Sequence, residues 1–503
     1  MKKGNLNRPQ AVKAKFDQNF TASPYGGGAL IERILRSLNL QRIIKRHLPK
    51  RSKEADYQTV DCVYPLIASL LLGGRGISAG ESLRHSKTTM SIFGLKKGVP
   101  SPSTIYRTLC EMAGLSERPW DETYKKRGAM QLRFNLEGKE RRVPTMRRIV
   151  PEEPEWGTLK SRTMLEDFTA SVARRCAGAL ERFIMRMHGW YVLFGDGTDL
   201  EVKGESFDAA RLSRDGEKIL RLMSLMLGPI TVSHDILPGN VDEGVWLPKL
   251  VKRSKQTVRE IVGKKGKVLS LLDAAFFENN VVKELEKNKW AYIICANQKR
   301  GVLQSLALEQ PKEIWEDTGG DEKRKWRCSQ VCVFTHTPQD WDRPVTIVCR
   351  RWQKEEELAG CWHYSFLGTR IEPEDLDRET LRRYGYAPLI WLLYSTKQGR
   401  ENHFKTPLID LGLHHPPSCR LGVNQVFYAL AMAASNVAMV LRYRVMPKQM
   451  RGMHLFRIRE IFIRIAGYIR KGGRILTVYL AGGDIPLWMQ DVFNQAHTEA
   501  GRV

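Results

Sequence analysis

Acidic residues are scarce in this chain: 55 Asp and Glu stand against 81 Lys and Arg over 503 residues, leaving a formal charge of +26. A surplus of that size argues against a basic partner and for a polyanion held by a salt-sensitive field, nucleic acid before an anionic membrane surface. Cysteine is sparse as well, with nine residues and no Cys-x2-Cys pair. An odd count cannot pair completely, so a disulfide framework is excluded and reduced, mostly buried thiols are expected. Cys328, Cys332, Cys349 and Cys361 lie close in sequence, yet without such a pair a structural zinc is disfavoured. No apolar run is long and uninterrupted. Val423 to Leu441 is broken by Asn424, Gln425, Ser435 and Asn436 and followed at once by Arg442 and Arg444, whereas a membrane span carries ~20 residues with few such groups. A buried core helix is the expectation there, and no membrane partner. Gly26-Gly27-Gly28 and Gly73-Gly74 lack the lysine of a nucleotide-binding loop. The basic opening from Met1 to Phe16 meets Asp17 and Gln18 with no apolar stretch behind it, so a cytoplasmic location is expected.

Residues 1–53 hold thirteen Lys or Arg against Asp17 and Glu32, about +11 in one arm. Such an arm suits phosphate contacts, although a solvated basic tail has the same composition. From Tyr57 to Gly114 apolar residues recur at helical spacing, and Ser103 is a candidate cap for a helix exposing Arg107. The pattern fits a helix-turn-helix and an ordinary helical bundle about equally. Residues 137–157 mix five Lys or Arg with Pro144, Pro151 and Pro154 and read as a linker. Beyond it come strand-like runs at Trp190–Gly195, Leu220–Ser233, Val268–Leu272 and Trp290–Ala296, with a helix at Glu278–Asn288 between the last two, which predicts a mixed α/β sheet. Turn signals separate further short strands at Trp326–Phe334, Val345–Trp352 and Cys361–Leu367, a β-rich insertion over 300–372. Helical spacing returns over Leu389–Leu413, Val423–Leu441 and Leu455–Ile469. The expected division is 1–140, a basic arm and helical DNA-binding region; 160–299 with 373–445, a catalytic domain; 300–372, the insertion; and 446–503, a basic carboxyl-terminal region.

Asp196 follows Tyr191-Val-Leu-Phe-Gly and Asp273 follows Val268-Leu-Ser-Leu-Leu, so each reads as the first polar group after a buried strand. A carboxylate held there by a rigid sheet and open to solvent is what a hard divalent cation needs, though strand-end aspartates also cap turns. In the third element, Tyr394, Lys397, Glu401 and Lys405 are three, four and four residues apart. On a helix they share one face, a carboxylate flanked by cations and a phenol, suited to a metal ion and the phosphate it activates; an exposed Glu–Lys pair is the plainer alternative. His234-Asp235 could ligate a metal, with plain surface the ordinary reading of a strand-edge histidine beside a turn; His414-His415 is expected in a loop, and Asp199, as the start of a second strand, is expected to point away from Asp196. The ten Lys and Arg from Arg442 to Arg474, opposed by Glu460, form a second basic surface for DNA or a subunit contact.

These residues resemble the DDE transposases of bacterial insertion sequences, in the branch marked by Tyr-x2-Arg-x3-Glu-x6-Lys. The resemblance covers most of the chain. It rests on Gly195-Asp196-Gly197-Thr198, on Leu271-Leu-Asp273-Ala-Ala-Phe-Phe, on Tyr394-x2-Lys397-x3-Glu401, and on intervals of 77 and 128 residues between the three acids. Leu237-Pro-Gly-Asn, Asn424 and the basic tail from Arg457 are further family-like features. Two departures stand out: Lys397 occupies the arginine position, and Leu408 falls where the lysine would be. Pro407 is expected to end or kink that helix, which makes Lys405 the substitute phosphate ligand.

The resemblance implies an α/β fold, an RNase H-like mixed sheet flanked by helices, with a β-rich insertion before the glutamate-bearing helix. It implies cut-and-paste transposition, with Asp196, Asp273 and Glu401 as catalytic residues holding two Mg2+ ions about 4 Å apart, Mn2+ able to substitute. Tyr394, Lys397 and Lys405 would bind DNA phosphate. Of the insertion's five tryptophans, Trp315, Trp326 and Trp352 are candidates to stack on a displaced base, with core packing the ordinary role of any one of them. The implied partners are double-stranded DNA, both terminal inverted repeats and target, and a second copy of the chain on that DNA, in the cytoplasm at the nucleoid. Rival readings are a catalytically inactive or domesticated DNA-binding protein and a metal-dependent nuclease without strand transfer.

Overall fold

The computed structural model describes residues 22–115 and 159–503, apart from 204–206, 214–215, 240, 298–299, 359, 473–474 and 482–484. The side chains at 82, 159–161, 183, 300, 398–406 and 471–475 are likewise outside the described residues. The stretch 1–21 and the linker expected at 137–157 fall outside them too.

β-branched and leucine-rich runs form β1 (Arg186–Met187), β2 (Trp190–Glu201), β3 (Arg211–Leu212), β4 (Lys218–Leu227), β5 (Ile230–Pro238), β6 (Lys267–Leu272) and β7 (Ala291–Cys295). Then follow β8 (Glu316–Asp321), β9 (Trp326–His336), β10 (Val345–Lys354) and β11 (His363–Thr369). All eleven join one sheet with the path β3-β4-β2-β6-β7-β11-β10-β9-β8, β1 beside β2 and β5 beside β4. β2 runs parallel to β6 and β6 to β7, while the other pairings are antiparallel. An antiparallel meander joined to parallel strands, with helices on both faces, is the RNase H-like mixed sheet expected.

Alternation along the strands separates the two faces. Trp190, Val192, Phe194, Leu269 and Leu271 pack under one long helix, Tyr386–Asp410, through its Leu389, Ile390 and Leu393. Gly385, at φ +76°, stands before that helix and turns the chain into it from the short helix Arg378–Tyr384. On the opposite face Tyr191, Leu193, Val268 and Leu272 belong to the larger core, which includes the helices Glu243–Val262 and Leu421–Val440.

The helix Leu421–Val440 is buried at every residue, as its composition predicts. Among the described residues it is the one helix long and apolar enough to cross a membrane, and the protein itself surrounds it. Its polar groups are structural. Asn436 accepts from the Thr231 amide at 2.8 Å and donates to the Thr231 carbonyl at 2.9 Å, standing in for a strand partner at the start of β5. Asn424 makes the same double bond to the backbone of Ser418. Helices Thr59–Leu72 and Pro102–Met112 pack on this core helix, and Gly28–Ser37 packs on the carboxyl-terminal helix Leu487–Ala500.

Several local expectations are corrected. Ser101, not Ser103, caps the helix that exposes Arg107, because Pro102 takes the first helical position. The run Leu220–Ser233 is a hairpin of β4 and β5 turned at Gly228-Pro229. The insertion over 300–372 opens with a helix, Arg300–Leu308, and its strands extend the central sheet through β11 and β7. Helical spacing over Leu455–Ile469 yields one short helix, a π-turn and the start of the hairpin β12 (Gly467–Gly472) with β13 (Ile475–Leu480). Pro407 does not end its helix, which continues to Asp410. His234 is half-buried and Asp235 fully buried, Asp235 bonded to Arg253 and to the Trp246 indole. The basic run from Arg442 to Arg474 is partly consumed internally: Arg459 is buried and donates to the carbonyls of Leu70 and Leu71, and Arg444 pairs with Glu499. All nine cysteines are free, five of them buried.

Replacing Asn436 by Ala leaves the Thr231 amide and carbonyl without partners in a dry interior. The expected cost is about 1–3 kcal/mol in urea unfolding, while a conservative exposed change nearby, Lys448→Gln, should be neutral. An Asn436→Ala protein as stable as wild type would remove this account of the β5 contact.

Candidate active site

The parallel pairing of β2 and β6 runs from Trp190↔Lys267 to Phe194↔Leu271, a constant offset of 77 residues. That is also the interval between Asp196 and Asp273. Carrying the register two residues on sets the aspartates side by side on neighbouring strands, about 5 Å apart at Cα. Gly195 is required on the way, since a Cβ there would lie 2.9 Å from Leu272 and Leu247 side-chain atoms. Asp196 is not at a strand end, as the sequence suggested: β2 continues to Glu201 against β4, and it is the neighbour β6 that stops. Even positions of β2 and odd positions of β6 face the helix Tyr386–Asp410, so both acids lie on the helix side. Asp199, of opposite parity, is bonded to Arg221 at 2.7 and 2.9 Å.

Asp273 immediately follows β6 and precedes a one-turn helix, but its carboxylate makes no capping bond. It accepts instead from the buried Lys397 ammonium at 2.7 Å. The Tyr394 hydroxyl donates to the Leu272 carbonyl at 3.3 Å, and burial, reinforced by Cys295 and Asp273, pushes its pKa far up, so it remains a proton donor. Tyr394 and Lys397 thus carry the apolar stripe of Ile390 and Leu393 upward over Asp273. Positions 401 and 405 continue the stripe on the same helix, one and two turns further; the side chains of Glu401 and Lys405 lie outside the described residues. Among the described residues no three acid, histidine or cysteine side chains converge on a cation position. The donor set nevertheless fits a hard divalent ion. Asp196 and Asp273 offer carboxylate oxygens, and Asp273 already receives a cation, the lysine ammonium.

Glu243, at the start of its helix, leans against the strand on the reverse face. A Cβ on Gly197 would fall 2.3 Å from its Oε1, so this glycine lets the carboxylate reach the backbone beside Asp196. Burial raises the Glu243 pKa, while Arg221, 3.0 Å away, works against that rise.

Beside Asp273 opens a cavity of about 330 Å3 lined by Trp326, Trp352, Arg350, Trp391, Tyr394 and Lys397 among others. Two of the three tryptophans singled out by composition are therefore here. Their rings stack at 5.0 Å and 22°, and His363 continues the ladder at 5.6 Å from Trp352. A β-bulge makes this possible: pairing steps from Gln353↔Cys328 to Lys354↔Trp326, skipping Arg327 and turning Trp326 onto the site face. Trp315 is not brought to the cavity. It is buried in the larger core, with the Arg351 guanidinium 3.8 Å from its ring. The sequence reading missed Arg350 and Trp391; strand parity with Trp352 and helical spacing from Tyr394 are the signals that could have found them. A larger cavity, about 1100 Å3, lies between the amino- and carboxyl-terminal helices and holds none of the predicted site residues.

Two strand-borne aspartates in register, beneath a helix that presents a phenol and a lysine, define a carboxylate site on a mixed sheet. The chain belongs to the family described as "Transposase DDE domain group 1", whose model matches residues 233–500. That segment takes in Asp273, Lys397 and position 401; Asp196 joins them through the register of β2. The chain is thus a member of a transposase family, whose DDE domain implies a DNA-cleaving and joining enzyme. No curated protein matches it. Among solved structures, it is similar to a piggyBac transposase synaptic complex with hairpin DNA, at 11% identity, over 94% of this chain and 85% of that one, with a TM-score of 0.39. A Mos1 transposase paired-end complex with left transposon end is similar at 16% identity over 46% and 76%, with a TM-score of 0.16.

Deleting Arg327 removes the bulge and leaves Cys328 opposite Gln353 and Trp326 opposite Lys354 in an unbroken ladder, so Trp326 stays on the site face. The far-ultraviolet exciton couplet expected from the stacked Trp326–Trp352 pair should therefore survive in the circular dichroism spectrum, and inserting a second residue beside Arg327 should abolish it. A couplet lost on deletion and kept on insertion would contradict the assigned register.

Proposed function

We propose that the chain is a cut-and-paste transposase of a bacterial insertion sequence, in the Tyr-x2-Arg-x3-Glu-x6-Lys branch, with Asp196, Asp273 and Glu401 as its catalytic carboxylates. The observation that carries the reading is the shared offset of 77: strand register and acid spacing coincide, beneath the helix bearing Lys397 and position 401.

Two Mg2+ ions, or Mn2+, held by these three acids would supply activation of the attacking water or 3′-hydroxyl and stabilisation of the leaving oxygen. The chain's own groups do the positioning. Asp196 is fixed by a strand paired on both sides below it, so its carboxylate height is set by the sheet rather than by a loop. Lys397 neutralises Asp273 in the absence of substrate and lies within reach of a phosphate placed at that carboxylate. Tyr394, kept protonated, donates hydrogen bonds only. Lys405 extends the cationic stripe. Trp326 and Trp352 offer a stacking surface for a base displaced from the DNA end, while Trp315, capped by Arg351, is better suited to the core. The +26 field gathers terminal repeats and target DNA. Concerted cutting of two ends calls for a homodimer on the DNA, acting at the bacterial nucleoid.

Asp196→Asn removes a metal ligand and no phosphate contact. Cutting of a plasmid carrying the element's flanking inverted repeats should fall by more than the ~10–100-fold cost of losing an outer partner, with DNA affinity near wild type. A wild-type protein that binds those ends but stays inert with both cations would sink the reading, and cut ends never joined to a second DNA would reduce it to a nuclease.

Affinity should be salt-dependent in proportion to the phosphates neutralised, log K falling against log salt by about 0.9 for each on duplex DNA. A flat response would leave the charge without a partner.

A further inference from the structure

Arg350 and Arg351 are neighbours on β10 and point to opposite faces, and each guanidinium is set among indole rings. Arg351 lies 3.8 Å from the Trp315 ring and 4.5 Å from that of Trp362, and its Nε and Nη2 both donate to Gln330 Oε1, at 2.9 and 2.6 Å. Arg350 lies 4.5 Å from the Trp391 ring and 5.9 Å from that of Trp326. Its Nε–H is buried without an acceptor, and among the described residues no carboxylate stands within ion-pairing distance. Trp391, only 8% exposed, lines the same cavity, and its indole N–H is also without an acceptor. Burial holds the Arg350 pKa down to about 10, with Arg324 adding to the effect and the more distant Asp321 opposing it.

A half-buried cation without an ion pair is a standing cost to the fold, and a second orphaned donor in the same cavity compounds it. Arg351 shows what a purely structural guanidinium looks like on this strand: stacked and bonded to a fixed amide. Arg350 has the stacking and lacks the acceptor. Its cavity opens beside Asp273, and indole faces hold the planar fork in a plane, the geometry that matches a phosphate bidentately.

We propose that Arg350 binds a phosphate of the DNA strand entering the cavity beside Asp273, its unpaired charge being satisfied only when that strand is bound. The proposal rests on the DNA-processing reading above and adds to it a specific phosphate contact outside the stripe of Tyr394, Lys397 and Lys405. The cost borne by the free protein is then recovered on binding.

The test measures folding and binding without divalent cation, so an enzyme that never cuts leaves its result standing. Arg350→Met keeps the bulk and removes the charge. It is expected to melt at or above the wild-type temperature, to bind a short single-stranded oligodeoxynucleotide about tenfold more weakly, and to lower the slope of log K against log salt by about 0.7, one single-strand phosphate. Binding is read by tryptophan fluorescence. Arg350→Lys should keep the wild-type slope, and the uncharged methylphosphonate oligonucleotide should bind wild type and Arg350→Met alike. Arg351→Met should do the reverse of Arg350→Met, lowering stability with no change of slope. A lowered melting temperature for Arg350→Met, or a slope equal to wild type, overturns the proposal.

Discussion

A parallel strand pair fixes the relative height of every side chain along it, and the candidate site depends on this constraint more than on any single contact. Once β2 and β6 are paired at an offset of 77, positions 196 and 273 cannot be far apart, and their parity directs both toward the same helix. The constraint is enforced from both faces. Phe194 and Leu271 are buried beneath the helix Tyr386–Asp410, and Leu193 and Leu272 are buried in the larger core. A slip of one residue would exchange the two apolar rows between differently shaped cores and send the two acids to opposite sides. The burial energy of the sheet thus specifies the spacing of the acids, and loops have little part in it.

The same sheet also governs the cavity. Because β11 pairs with β7, the strands from the insertion belong to one rigid surface with β2 and β6, and the tryptophan ladder is held at a defined lateral distance from Asp273. The bulge at Arg327 then sets which face Trp326 occupies. Had the insertion formed a separate subdomain, its aromatic rings would have been positioned by a hinge. A continuous hydrogen-bonded ladder is stiffer, which suits a surface meant to hold a base in one place.

Much of this was legible in the residues. Strand cores are compact apolar runs, and both aspartates interrupt such runs, so the acids were conspicuous. Their interval carried the register, although nothing in one strand alone discloses its partner. The helix bearing Tyr394 and Lys397 could be read from spacing. Pro407 misled because a proline inside a 25-residue helix can be absorbed near the end, where few following bonds depend on it. The tail from Leu455 misled for a different reason: alternating basic and apolar residues satisfy both periods, and tertiary contacts with the buried Arg459 decided between them. Neither the bulge nor the β11–β7 pairing has a local signature, since both arise from pairing between strands.

Charge bookkeeping separates the two basic groups nearest Asp273 and explains why they are not interchangeable. Lys397 is buried against a carboxylate, so its charge is compensated and the pair stabilises the helix over the strand end. Arg350 has aromatic faces around it and no ion-paired acid, Asp321 acting on it only from a distance, so much of its field is left to the cavity. A lysine there would be a flexible point charge able to swing to Asp273 itself, competing for that carboxylate. A guanidinium held flat by indole rings keeps its direction. The division of labour follows: a compensated lysine keeps the acid poised, and an uncompensated arginine leaves the adjoining space attractive to an anion. Only an anionic ligand relieves the second without disturbing the first, and for a chain this basic in a transposase family, the phosphodiester backbone is the anion that fits both the cavity and the charge.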